Sequence, residues 1–305
     1  MKPYKQSGFI IPVALIIISI LIMLATGLSH QARTQIKALQ RTQTQWQNEL
    51  IYRSVLQKII HSLLTGKIAY NYVRIDQKQL PIDGRTINLD GVNVQIQDSA
   101  GLMGLGVYNE KVFYRLLLQL TDTRAAQQIS QELSDWIDRN NLQLRYGMEA
   151  QDYLQAGLSY YPRNKMLRSL DELLELPSMT YTLYNGTTEQ PPLRNLVTPG
   201  IHLTLNAATA PQQVLRAYLE GTDEQFQAIW AARTAENWPL LQKLLTHFPG
   251  TLGDLGRFVP SSTFRIILKI PGQKSMRVTI KLRPASNPPY SIQQWYYPDD
   301  DRGQN

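Results

Sequence analysis

The sequence predicts an α+β protein: a long N-terminal helix packed on a small antiparallel sheet, with a large α-helical insertion interrupting that sheet. Three observations predict it. An uncharged apolar run over residues 9–28 continues, without Gly or Pro from Ser29 to Thr65, into an amphipathic stretch. β-like segments stand on both sides of the remaining chain, and a block of roughly 140 residues between them carries helical periodicity.

The first helix is read from length and spacing. Phe9 to Leu28 is about twenty residues, enough to cross a hydrocarbon core at about 1.5 Å per residue. Beyond it, Ile36, Leu39, Trp46, Leu50, Val55, Ile59 and Leu63 recur at spacings of three, four or their sums, among Gln, Thr, Arg and Lys. That is one apolar stripe on a helix, and Gly66 is its expected stop. A coiled-coil spacer fits the same pattern.

The remaining elements follow in order. Asn71 to Ile75, Arg85 to Leu89 and Val92 to Gln97 read as strands, and Asp90-Gly91 is a hairpin signal. A helical region begins at Glu110 and runs to Leu120. Thr121 or Asp122 caps a second helix on which Ala125, Ala126, Ile129, Leu133, Trp136 and Ile137 share a face. Further helices are expected near Ser169 to Leu176, Pro211 to Leu219, Asp223 to Ala232 and Pro239 to Phe248. Strands return at Phe264 to Ile270, Met276 to Leu282 and Ser291 to Tyr297, and Asp299 to Asn305 reads as a disordered tail. The expected segmentation is 1–8 leader, 9–28 membrane part of the helix, 29–66 its aqueous part, 67–108 first α/β part, 109–260 helical insertion, 261–298 second α/β part and 299–305 tail.

Composition excludes more than it assigns. The 305 residues are 43% hydrophobic, so wholesale disorder is excluded, and the net charge of +7 is scattered without a basic run. No cysteine is present, which rules out disulfides and thiolate zinc sites and leaves the core, or a metal held by oxygen, to stabilise the domain. His30, His61, His202 and His247 are dispersed, there is no HExxH or G-x-S-x-G, and Gly101, Gly104 and Gly106 have the wrong spacing for a dinucleotide loop. No catalytic residues are assigned and the chain is read as a non-enzyme. The helical pairs around Leu170–Tyr184 and Leu205–Trp230 have a helix-hairpin-helix (SAM-like) look. Glu220, Asp223 and Glu224 beside Gly221 would repel phosphate, so nucleic acid is not expected as a partner.

Lys2 and Lys5 precede the apolar run, and Lys5-Gln6-Ser7-Gly8-Phe9-Ile10-Ile11-Pro12 places Phe9 at the helix start with no polar spacer. A plain signal anchor and a cleaved signal peptide ending near Ala25-Thr26-Gly27 are the competing readings. The local sequence resembles the prepilin signal of type IV pilins and type II secretion pseudopilins. The resemblance implies cleavage between Gly8 and Phe9 by the prepilin peptidase and N-methylation of Phe9. It also implies a pilin-like fold. Most pilins carry Glu at the fifth mature residue, where it meets the neighbour's N-terminal amine; here that position is Val13, which cannot accept it.

Local matches carry the resemblance further. Leu133-Ser-Asp135-Trp136-Ile137-Asp138, then Gly147, Glu149, Asp152 and Tyr153, then Tyr160-Tyr161-Pro162-x-Asn164 and Leu170-Asp-Glu172-Leu173, and Leu203-Thr-Leu205-Asn206 through Val214-Leu215 resemble, in order, the K family of minor pseudopilins of type II secretion. Asp135 and Asp138, like Glu149 and Asp152, lie three apart, and four carboxylates in a short segment suit a hard cation. The family implies a structural calcium ion; Asn140 and Asn141 stand where further acids are common. The resemblance further implies initiation of assembly and capping of the periplasmic pseudopilus tip, and a single-pass protein of the inner membrane with a periplasmic domain. Implied partners are the I and J minor pseudopilins, the major pseudopilin, the prepilin peptidase and the inner-membrane secretion platform. A minor pilin of a surface type IV pilus, and a signal-anchored periplasmic protein of other activity, are the alternatives.

Overall fold

A computed structural model describes residues 10–75, 78–201, 204–246 and 258–299. Helix α1 runs Ile10–Thr65, 56 residues or about 84 Å. It stops at Gly66, where a Cβ would lie 2.4 Å from Val73 Cγ1 and 2.7 Å from Ser62 O, so only glycine lets the chain turn back there. The chain divides into two units, one ending at Ser54 and one beginning at Val55. In the first, Ile36, Leu39, Trp46 and Leu50 are exposed. In the second, Val55, Leu56, Ile59, Ile60 and Leu63 are buried. The apolar stripe is therefore buried from Val55 on, and its earlier members are exposed.

Two hairpins follow. β1 (Lys67–Ala69), β2 (Tyr72–Ile75) and β3 (Lys78–Pro81) form a three-stranded sheet, of which only β2 is expected from sequence. β4 (Asp83–Leu89) and β5 (Val92–Asp98) are joined at Asp90-Gly91, whose φ values of 53° and 81° are those of the tight hairpin turn the dipeptide predicts. After the insertion come β8 (Thr263–Lys269), β9 (Ser275–Leu282) and β10 (Tyr290–Asp299). The five-stranded sheet has the order β10-β9-β8-β5-β4, all antiparallel. β5 pairs directly with β8, from Asn93↔Lys269 to Asp98↔Phe264, so the sheet closes across the insertion as expected. Val92, Val94 and Ile96, with Phe264, Ile266, Leu268, Val278 and Ile280, supply the buried apolar face. Gln57 of α1 reaches Tyr290 Oη at 3.5 Å, and Lys58 reaches Asp90, tying this end of the helix to the sheet.

The insertion leaves after Asp98 and returns at Ser261, and one buried carboxylate holds both ends. Asp98 Oδ1 accepts from Ala100 N (3.1 Å), Ser261 N (2.9 Å) and Ser261 Oγ (2.7 Å); its Oδ2 accepts from Asn206 Nδ2 (2.9 Å) and Thr209 Oγ1 (3.0 Å). Within the insertion, α2 (Glu110–Leu117) and α3 (Thr123–Ile137) are the expected pair, and Asp122 is the cap, accepting from Arg124 N and Ala125 N. Ala126, Ile129, Leu133 and Trp136 point into a core shared with Phe113, Tyr153, Leu173 and Leu215. Short helices α4 (Ala150–Gln155), α5 (Tyr181–Asn185), α6 (Leu193–Leu196) and α7 (Gln212–Tyr218) are followed by α8 (Asp223–Thr234) and α9 (Trp238–Leu245). A two-residue parallel ladder, β6 (Met103–Gly104) with β7 (Val197–Thr198), joins the insertion's first and middle parts.

Two expectations are corrected. Ser169 to Leu176 is a 3₁₀ turn over Leu170–Glu175, because Pro177 ends it within six residues and the Ser169–Glu172 capping box already satisfies its first amides. Asp299 is not tail: it pairs with Ser275 in β10, is 4% exposed and accepts from two arginines. Residues 300–305 lie outside the described residues.

Candidate functional site

The N-terminal site falls partly outside the described chain: Gly8 and Phe9, the expected cleavage and methylation positions, precede the first described residue. Val13 lies in the first turns of α1 and is 40% exposed, among Ile11, Leu15, Ile16 and Ile17, which are also exposed. The helix is long and apolar enough to cross a membrane.

The second site is acidic. α3 ends at Ile137 with Asp138 as its C-cap, and Glu149 is the N-cap of α4, so the 139–148 loop folds the two expected pairs toward each other. Asp135 is fully buried and Glu149 is 6% exposed. Leu144 N donates to Asp135 Oδ2 at 3.2 Å, but Asp135 Oδ1 and both oxygens of Glu149 are buried with no hydrogen-bond donor. Desolvation pushes Asp135 up to about 6, aided by the charges of Asp138, Asp152 and Glu110. Glu149 is pushed to about 7 by desolvation, then by Asp135, Asp138 and Asp152. Gly147 makes room for this: a Cβ there would sit 1.9 Å from Asp135 Oδ2.

The two half-buried members are partly committed elsewhere. Asp138 accepts from Asn140 N (3.1 Å) and Asn140 Nδ2 (2.7 Å), and Asp152 Oδ2 accepts from Glu149 N (2.8 Å). Asn140 Oδ1 accepts from Leu142 N and Asn141 Oδ1 from Asn164 Nδ2, so both amides brace the loop. Among the described residues no three acidic or imidazole side chains converge on one point. What fits a cation is the deficit: three orphaned carboxylate oxygens, all hard donors, on adjoining loop ends. Glu110, the first residue of α2, adds its charge to this cluster, and its place at a helix start gives no sign of that in the sequence.

Residues 87–188 match the family described as type II secretion system (T2SS), protein K. That segment holds the whole acidic site. A type II secretion system protein K from Klebsiella pneumoniae is 22% identical over 265 residues, covering 80% of each chain. Over residues 87–188, about a third of its length, the chain is similar to the protein K family. A chain of the crystal structure of the GspK-GspI-GspJ complex from the enterotoxigenic Escherichia coli type 2 secretion system has the same fold. The TM-score is 0.52 at 19% identity, covering 84% of this chain and 98% of that one. The protein K segment thus starts in β4, runs through α2 and α3 and ends past α5.

Proposed function

We propose that this chain is a minor pseudopilin of the type II secretion system that initiates assembly of the periplasmic pseudopilus and caps its tip, without catalysis. The observation that carries the reading is Val13. A side chain with no carboxylate leaves a neighbour's N-terminal amine unpaired in an apolar filament core, which is costly, so the chain suits a position with no subunit above it. The insertion at residues 99–262 supports the same position, because a stacked subunit would have to accommodate its bulk. In this reading Gly8–Phe9 is cleaved by the prepilin peptidase, Phe9 is methylated and α1 anchors the protein in the inner membrane. The second unit then stands in the periplasm. The exposed apolar positions Ile36, Leu39, Trp46 and Leu50 receive the helices of I and J subunits, as the GspK-GspI-GspJ neighbour suggests, and the major pseudopilin follows.

The acidic site is read as a structural calcium site. Asp135 and Glu149 would be its buried ligands and Asp138 and Asp152 its half-buried ones, fixing the loop between α3 and α4 in a domain without disulfides.

The test is co-expression of the full chain with the I and J subunits and the prepilin peptidase, followed by purification in detergent and mass spectrometry. An N-methylated Phe9 and a complex with one copy of each subunit are expected. An intact Met1, or a chain that enters the shaft in many copies beside the major pseudopilin, would overturn the reading.

A further inference from the structure

The outward face of the sheet carries a second site of opposite sign. The Leu170–Glu175 turn, α5 and α6 roof over β8, β9 and β10, leaving a cavity of about 350 Å³. Three guanidinium groups line it: Arg194, Arg265 and Arg277. Arg265 is 5% exposed and Arg277 7% exposed. Arg277 Nε donates to Asp299 Oδ2 at 3.0 Å and its Nη1 to Asn195 Oδ1 at 2.8 Å, while Arg194 Nη1 shares Asp299 at 3.2 Å. Arg265 is held by carbonyls alone, Arg194 O at 2.7 Å and Val197 O at 2.8 Å, and among the described residues no carboxylate lies within ion-pairing distance of it.

The other acid in the wall does not neutralise this charge. Asp171 Oδ1 accepts from Tyr184 Oη at 2.7 Å and Oδ2 from Tyr296 Oη at 3.0 Å. With Ser169 Oγ at 3.2 Å from Oδ2, three hydroxyls, rather than arginines, satisfy it. Buried cations without full compensation are costly, and sites that hold them tend to be completed by an anion. Burial, then the neighbouring Arg277, holds Arg265 down to about 9, the same shortage of negative charge seen from the arginine's side. Leu170, Leu174 and Tyr181 give the wall an apolar side, so the cavity offers a charged floor and a greasy flank.

We propose that this cavity binds a carboxylate borne on a peptide, with Arg265 and Arg277 as the floor that receives it. The groove continues past Arg277 and Asp299 toward Lys269 and Thr187, through a further cavity of about 320 Å³, which gives an extended acidic segment room to run. Neither the acidic loop nor α1 takes part, so the site is separate from the tip reading.

The experiment is calorimetric titration of the full chain in detergent, at fixed ionic strength, with three probes. These are acetyl-Glu-Asp-Glu-amide, its neutral counterpart acetyl-Gln-Asn-Gln-amide, and succinate as a free dicarboxylate. Saturable binding of the acidic peptide and none of the neutral one is expected, with at least a tenfold loss in Arg265→Gln or Arg277→Gln. Because those arginines are buried, Leu174→Glu is the second variant. Leu174 is 36% exposed at the wall, and a carboxylate fixed there competes from a short tether, again costing at least tenfold. Competition by succinate would show that the carboxylate alone is read; peptide binding that succinate does not displace would show that the peptide's length is also used. Equal binding of the two peptides, binding unchanged in Leu174→Glu, or no saturation by about 10 mM would overturn the proposal.

Discussion

Replacing Asp98 by alanine removes the acceptor that pins the insertion's departure and return. Five donors converge on that carboxylate. Two of them have a second acceptor: Ser261 Oγ reaches Thr263 O at 2.8 Å and Thr209 Oγ1 reaches Asn206 O at 3.3 Å. Ala100 N, Asn206 Nδ2 and Ser261 N lose the bond and are left around a site that is 0% exposed in the native chain. At about 1–3 kcal/mol for each buried donor left unpaired, and with some relaxation, Asp98→Ala should cost about 3–6 kcal/mol. Asp98→Asn keeps the shape and the Oδ1 contacts but turns an amide toward Asn206 and Thr209, so it should cost roughly half as much. Urea unfolding of the full chain in detergent, followed by tryptophan fluorescence and far-UV circular dichroism, measures both. Trp136, Trp230 and Trp238 report the insertion and Trp295 the sheet. A loss below about 1 kcal/mol for alanine, or asparagine worse than alanine, would refute the reasoning.

Three further outcomes are expected. Asp135 and Glu149 have folded-state pKa values raised to about 6 and about 7. The folded chain therefore binds more protons than the unfolded one between about pH 4 and 7, and stability in a chelator should fall as pH rises through that window. Glu149, with the more strongly raised pKa, contributes the larger part of that loss, and added calcium should flatten the slope; a melting temperature independent of pH and calcium would sink the metal reading. Gly147→Ala drives a Cβ into Asp135 Oδ2 and should lower the melting temperature by several degrees and abolish the calcium response, measured by scanning fluorimetry. Trp46→Glu, at a position 63% exposed, should leave unfolding unchanged yet weaken co-purification of the I and J subunits at least tenfold; unimpaired co-purification would remove the helix from the interface.

The elements legible in the sequence were those whose signal is local. The apolar run and its amphipathic continuation set α1; Asp90-Gly91 set the β4–β5 turn; Asp122 followed by alternating three and four spacings set α3. β1 and β3, at three and four residues, are too short to show a period. Four of the five acids of the candidate site were legible because Asp135/Asp138 and Glu149/Asp152 are sequence neighbours, whereas Glu110 joins them only through the α2–α3 packing. The arginine cavity was hidden by a misleading local rule. In Phe264-Arg265-Ile266 and Met276-Arg277-Val278 the alternation reads as apolar in, arginine out to water, and on an open sheet it would be so. Here the insertion covers the outer face, and Asp299, whose acidic run 299–301 reads as tail, pairs with Arg277 across 22 residues.

The buried acids of the insertion divide into two kinds, and the division is what singles out the cation site. Glu132 accepts from Ser178 N and Oγ at 3.0 and 2.6 Å. Glu172 accepts from Arg168 N, Ser169 N, Trp136 Nε1 and Arg163, and although desolvation opposes it, those donors hold its pKa below the usual range. With Asp98, these carboxylates satisfy loop amides that no helix or strand pairs, which is how a cysteine-free block with short helices keeps one conformation. Asp135 and Glu149 are also buried but short of donors: Asp135 Oδ1 and both Glu149 oxygens lack a partner, and further acids stand beside them. The first kind is complete within the chain, so its loss should cost stability whatever the solution contains. The second kind is incomplete, so Glu149→Gln should raise stability in a chelator and lose it relative to the native chain only when calcium is present. That crossing of the two stability orders is an outcome neither a solvated acidic surface nor an ordinary buried hydrogen bond would produce.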